Sequence, residues 1–187
     1  MKPFPHAACL AILCSCGPAI AEDRDLTFSG GHETDPKDGG RPCVLIAAAL
    51  GVKTEVFRDA FKGVTPAKNG KPSGDEARAN KEVLLKALKP HGVTNDRLDE
   101  VSDYYRYRPQ DGKLWKHREA KAIAVVKDDK IEKIVVTDAG AGYSTPPKVT
   151  IKGMEKIELI VTLQFDQDLA KNGSIKSIEI APPTKKD

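Results

Sequence analysis

The chain has 187 residues, with 30 Lys+Arg against 27 Asp+Glu, 40% hydrophobic and 5% aromatic residues. So much apolar content with so little charge imbalance excludes a disordered chain, and the 15 Gly lack the period of three that a collagen helix needs. No later apolar run reaches the length of a membrane span, and a formal net charge of +3 is a smaller basic excess than nucleic-acid binders carry, so no nucleic-acid partner is expected.

In chain order, residues 1–21 come first, ending in Ala19-Ile20-Ala21. Lys2, the apolar stretch Ala7 to Leu13 and this A-x-A site have the layout of a secretory signal. The expectation is export to the periplasm, the cell envelope or the medium. A competing cut exists, because Leu13-Cys14-Ser15-Cys16 resembles a bacterial lipobox, in which Cys16 would carry a lipid anchor. Cys9, Cys14 and Cys16 all lie in the signal, so the mature chain keeps only Cys43 and cannot close an internal disulfide. Cys43 opens the apolar run CVLIAAAL and is expected to be a small buried hydrophobe.

Residues 22–41 read as an N-terminal arm. It contains GGHETDPKDGGRP, where His32, Glu33, Asp35 and Asp38 fall within seven residues. Acidic, Gly-rich loops supply oxygen ligands to hard cations such as calcium, and a histidine with carboxylates suits zinc or iron. The spacing matches neither an EF-hand loop nor an HExxH helix. These four residues are the metal-site candidates, against the plain reading of a surface turn set by Asp35-Pro36 and Asp38-Gly39. No cofactor is otherwise expected.

Residues 42–108 read as a helical subdomain of four short helices. Pro42 and Gly51 bracket a helix that is apolar all round and therefore buried. Thr54 to Lys62 follows, with Val56, Phe57, Ala60 and Phe61 on its inner face. Thr54 is placed to cap this helix, and Gly63 to end it. After the polar loop 65–75, Ser73 and Glu76 stand at capping-box spacing. They start a third helix with the spine Ala77, Leu84 and Leu88. The fourth begins at Thr94 or Asn95 and places Leu98, Val101 and Tyr105 on one face. LGVKTEVFRDAF (50–61) and HGVTNDRLDEVS (91–102) share a helix end, Gly-Val and a polar cap, so two related helical hairpins are expected. The first also has the outline of a helix-turn-helix, but export and the charge balance argue against DNA.

YYRYRPQDGKLWKHR (104–118) joins this subdomain to a linker, 109–121. Tyr104, Tyr105, Tyr107 and Trp115 interleave there with Arg106, Arg108 and further cations. Aromatics beside cations stack on sugars and hold anions. They also pack two halves of a molecule together. Tyr104, Tyr105, Arg106, Tyr107, Arg108 and Trp115 are the binding candidates, with a carbohydrate, an anionic polymer or another envelope protein as partner.

From residue 122 to 181 the hydrophobic period becomes two. AIAVVK meets IEKIVVT across a polar turn, KVTI alternates, and IELIVTLQF and SIKSIEI follow. Ile131, Ile134 and Val136 match Ile175, Ile178 and Ile180, so this half repeats one kind of hairpin. The expectation is α+β: four short helices, then a small antiparallel sheet of about five strands, with a frayed tail at 182–187. Within it, GAGYSTPPKVTI (140–151) resembles a G-x-G-Y-x-x-P-P-x-V-x-I segment of bacterial surface and phage-tail β-modules. That resemblance implies a strand connector without catalysis. No nucleophile elbow, P-loop, dinucleotide fingerprint or CxxC occurs.

The order GGHETDP, GRP, LIAAALGV, FRDAF, GVTNDRLDEVSDYYRYRP and GAGYSTPP is similar to an uncharacterised family of exported proteins from planctomycete-type bacteria. The resemblance implies export and helices before strands, but no activity and no functional residue. The functional expectation is an exported, non-catalytic binding or structural module. Its rival is a metal-dependent, hydrolase-like enzyme using the His32 loop.

Overall fold

The computed structural model describes residues 20–65, 72–107 and 112–182. Residues 1–19, Cys16 among them, together with Arg108 and most of the tail, lie outside the described residues. The fold is α+β. Strand β1 (Glu22–Ser29) is followed by helices α1 (Cys43–Ala49), α2 (Thr54–Lys62), α3 (Gly74–Leu88) and α4 (Asn95–Tyr104). Strands β2 (Lys121–Lys127), β3 (Lys130–Asp138), β4 (Lys148–Ile151), β5 (Leu159–Gln164) and β6 (Ser174–Ile180) complete the chain.

The supposed arm therefore begins with a strand. β1 pairs antiparallel with β2 through Glu22–Asp25 and with β4 through Leu26–Ser29, in a sheet of order β3-β2-β1-β4. Its sequence, EDRDLTFS, hides this role, because Leu26 is its only buried side chain. The backbone of β1 supplies both neighbours with ladder bonds while its charged side chains stay in water. The β half is thus built from both ends of the chain, with the helices inserted between.

β5 and β6 form a second, two-stranded antiparallel sheet, so the strands number six among the described residues. It lies against the first, β5 beside β4 and β6 beside β3, and Ile175 N donates to Ala139 O at 2.8 Å. The enclosed core includes Leu26, Ala122, Ala124, Val126, Ile151, Val161, Ile175 and Ile178. The β2–β3 turn is Asp128-Asp129, both at positive φ (50° and 56°). This is the two-residue geometry whose twist suits a hairpin, and aspartate tolerates it better than most residues.

The helices form a second core around α1, which is buried along most of its surface. The repeated Gly-Val is a helix-ending device. Gly51 and Gly92 lie at φ +71° and +85°, Val52 N bonds Ala47 O, and Val93 N bonds Leu88 O. That is the Schellman closure of a helix C-terminus. Ser73 and Glu76 make the expected capping box, and Thr94 caps α4 by accepting from Arg97 N. Thr54 does not cap α2: the cap position is Lys53, without a side-chain bond. Along α3 only Leu88 is buried. Ala77 is exposed and Leu84 half-buried, because the first turns of α3 line an open cleft against α2 and α4.

The two cores meet at Trp115, Tyr105, Tyr143 and Asn172. Trp115 Nε1 donates to Gly142 O at 2.8 Å. Asn172 is fully buried, and its amide donates to Leu45 O at 2.8 Å and to the Tyr105 hydroxyl at 2.9 Å. Gly173 lies so close that a Cβ there would stand 2.4 Å from Tyr143 O and 2.6 Å from Leu45 Cδ2. Among the described residues no helix is long and apolar enough to cross a membrane.

Candidate functional site

The four loop candidates for a metal do not converge. Positive-φ glycines at 30, 31, 39 and 40 turn the chain on either side of them, so their side chains leave in different directions. Asp38 is buried and receives both Arg58 Nε (2.7 Å) and Nη2 (2.8 Å), an ion pair that anchors the loop to α2. Hydrogen bonding to Asp38 raises the Arg58 pKa further. Asp35 caps the 3-10 turn Pro36–Asp38 by accepting from Lys37 N and stands 3.6 Å from Arg58. Glu33 accepts from Gly31 N at 3.0 Å and from the Thr145 hydroxyl. The Thr145 bond is the main cause that holds the Glu33 carboxyl below its ordinary range. Three of the four acids or donors are therefore committed to the fold.

His32 turns the other way. Its ring lies against Trp115 (6.0 Å between centroids), His117 (4.5 Å) and Tyr143 (5.2 Å). Donor atoms of His32, His117 and Glu119 all lie within 4.8 Å of one another. His117 Nδ1 is 2.9 Å from Trp115 O, so it carries the proton of that bond. Glu119 Oε2 accepts from the Tyr143 hydroxyl at 2.9 Å, and the Tyr143 hydroxyl oxygen in turn accepts from Ala120 N. His32 Nε2 is buried without a hydrogen-bond partner. Burial, helped by the neighbouring His117, pushes the His32 pKa down. Neither His117 nor Glu119 stood among the sequence candidates. Nothing in the order of residues announces that GGHE and WKHRE meet, since β1 and the linker are brought together by the GAGYS turn, where Ser144 N and Thr145 N both donate to Gly31 O.

The cation–aromatic segment divides. Tyr105 and Trp115 are each 2% exposed, so they are packing between the halves and not a ligand surface. Deep burial pushes the Tyr105 phenol well above its ordinary pKa. Tyr104 and Tyr107 are half-buried. Lys116 Nζ stands 4.8 Å over the Tyr104 ring, and Arg106 pairs with Asp103.

Arg106 and Tyr107 do border a concave surface, but its centre is elsewhere. The Arg41 guanidinium stacks on Phe61, 4.1 Å from the ring centroid. Three clefts, of about 590, 420 and 350 Å³, all include Arg41 and Phe61 in their walls. Arg106 and Leu84 line the first and third. Among the described residues no carboxylate pairs with Arg41, whose Nη1 donates only to Asp38 O at 3.1 Å. Neither Arg41 nor Phe61 stood among the sequence candidates, because a single arginine after Gly-Gly carries no motif. Cys43 borders the 420 Å³ cleft as a buried thiol pushed up to about 12 by desolvation, which leaves it a poor nucleophile. No family model matches the chain, and no curated protein or solved structure is significantly similar to it.

Proposed function

We propose that this is an exported, non-catalytic binding module that holds a carboxylate-bearing polymer in the clefts around Arg41. The observation that carries the reading is the Arg41–Phe61 stack: a guanidinium without a carboxylate partner among the described residues, on an aromatic floor where three clefts meet. A planar guanidinium held flat by a ring still presents its outer N–H groups, and these match a carboxylate's two oxygens. Phe61, Leu84 and Tyr107 supply apolar and aromatic surface for the body of the chain, while Arg106 in the same walls is already paired with Asp103. Export rests on the Lys2, apolar stretch and A-x-A layout of residues 1–21, and a cut after Ala21 leaves β1 whole. The non-catalytic part rests on the use of Asp38, Arg58, Asn172 and Cys43 within the fold.

Titration of the purified protein with polygalacturonate and with neutral dextran tests the reading. Binding to the acidic polymer alone is expected, weakening with salt. Arg41→Gln is expected to lower affinity roughly tenfold to a hundredfold, the usual worth of a charge-assisted pair. Arg41→Gln binding as tightly as the parent, or a parent that takes up neither polymer, sinks it.

A further inference from the structure

We propose that His32, His117 and Glu119 bind one transition-metal ion of the zinc class. This goes beyond the polymer-binding reading and does not depend on it, since the three residues lie outside the walls of the Arg41 clefts.

Three features single out this trio. The first is proximity: two imidazoles and a carboxylate offer ligand atoms within 4.8 Å of one another, a span that small side-chain rotations close to a coordination sphere. The second is orientation from behind. His117 Nδ1–H is held by Trp115 O, which leaves the Nε2 lone pair free to ligate. Glu119 is held by the Tyr143 hydroxyl, whose ring is fully buried. Metal sites use such outer partners, a carbonyl behind a histidine and a donor behind a carboxylate, to fix their ligands. The third is His32 Nε2, a buried nitrogen without a partner. Buried polar atoms are rarely left so, and an ion satisfies this one.

The donor set selects the ion. Two nitrogens and one carboxylate suit zinc, cobalt, nickel or copper, whereas calcium and magnesium require oxygens throughout. Glu33, the nearest further acid along the chain, is already bonded to Gly31 N and Thr145. Three protein ligands leave a fourth position for water or an outside donor. Bound there, the ion ties the loop after β1 to the segment that enters β2, the two ends of the helical insertion.

The test is titration of untagged, chelator-treated protein beginning at Glu22, and so without Cys9, Cys14 and Cys16, with Zn²⁺ by calorimetry and with Co²⁺ by visible absorption. One equivalent is expected, with the Co²⁺ spectrum of a four-coordinate site. His117→Ala is expected to weaken binding by at least about a hundredfold, and Tyr143→Phe by roughly tenfold, as for loss of an outer-shell partner. Asp35→Asn leaves binding unchanged. Circular dichroism accompanies each variant, and Glu119→Gln, which keeps the shape of the side chain, stands in if His117→Ala fails to fold. No stoichiometric uptake of either ion by the parent overturns the proposal. So does a folded His117→Ala or Glu119→Gln with parental affinity.

Discussion

Asn172→Ala tests how the two halves are joined. The side chain is fully buried between them. Its amide donates to Leu45 O and to the Tyr105 hydroxyl on the helical side, and its carbonyl accepts from Asp166 N at 3.1 Å on the β side. Three hydrogen bonds at a net ~1 kcal/mol each come to about 3 kcal/mol. Two of the partners, Leu45 O and the Tyr105 hydroxyl, sit in the buried junction and lose their donor without gaining water, which raises the loss to about 4 kcal/mol. For a domain of this size that is a fall in Tm on the order of 10 °C. Urea unfolding measures it with two probes, far-ultraviolet circular dichroism for the whole chain and fluorescence of Trp115, the single tryptophan, at the junction itself. Tyr105→Phe removes only one of the three bonds and is expected to cost about 1 kcal/mol. A loss below about 1 kcal/mol for Asn172→Ala, with both probes unchanged, refutes the account of the junction.

Arg58→Gln strands the buried Asp38 carboxylate and is expected to destabilise by about 2–3 kcal/mol in thermal melts, at the low end for a broken buried pair because Arg58 keeps some solvent contact; Asp38→Asn in the same background should restore part of it, and no loss in Arg58→Gln would refute the anchoring role. Tyr105 has its folded pKa raised by burial, so the stability this contributes is complete below the unfolded value near 10, and is lost as pH rises from there toward the folded value. Urea midpoints measured across that range should fall less in Tyr105→Phe, and parallel curves would contradict the shift. Cys43, buried with its thiol pushed up to about 12, should react with a disulfide reagent at neutral pH only as fast as the chain unfolds; rapid labelling of the native protein would show the helix end to be open.

Much of the fold was legible along the chain because its signals are local. Ser73-x-x-Glu76 states a capping box, Gly51-Val52 and Gly92-Val93 state helix ends, and the alternation after residue 121 states strands. Each depends on contacts within a few residues, so composition and spacing suffice. The strand β1 could not be read this way. Its charged residues lie on a backbone held by two neighbours, one from each side of the distant β2–β4 segment, and only Leu26 reports burial. The sites were less legible still. The acidic loop has the residue types of a metal site, yet its glycines turn Asp35 and Asp38 toward Arg58 and leave His32 alone to face His117 and Glu119. Similarly, Tyr105 and Trp115 have the composition of a binding face but the position of a seam. Sequence alone determined the four helices, the strands after residue 121 and which side chains are available. Tertiary structure decided which of them meet, because the chain closes β1 against β2 and β4 across the whole helical insertion, and that closure brings His32 to His117 and Glu119.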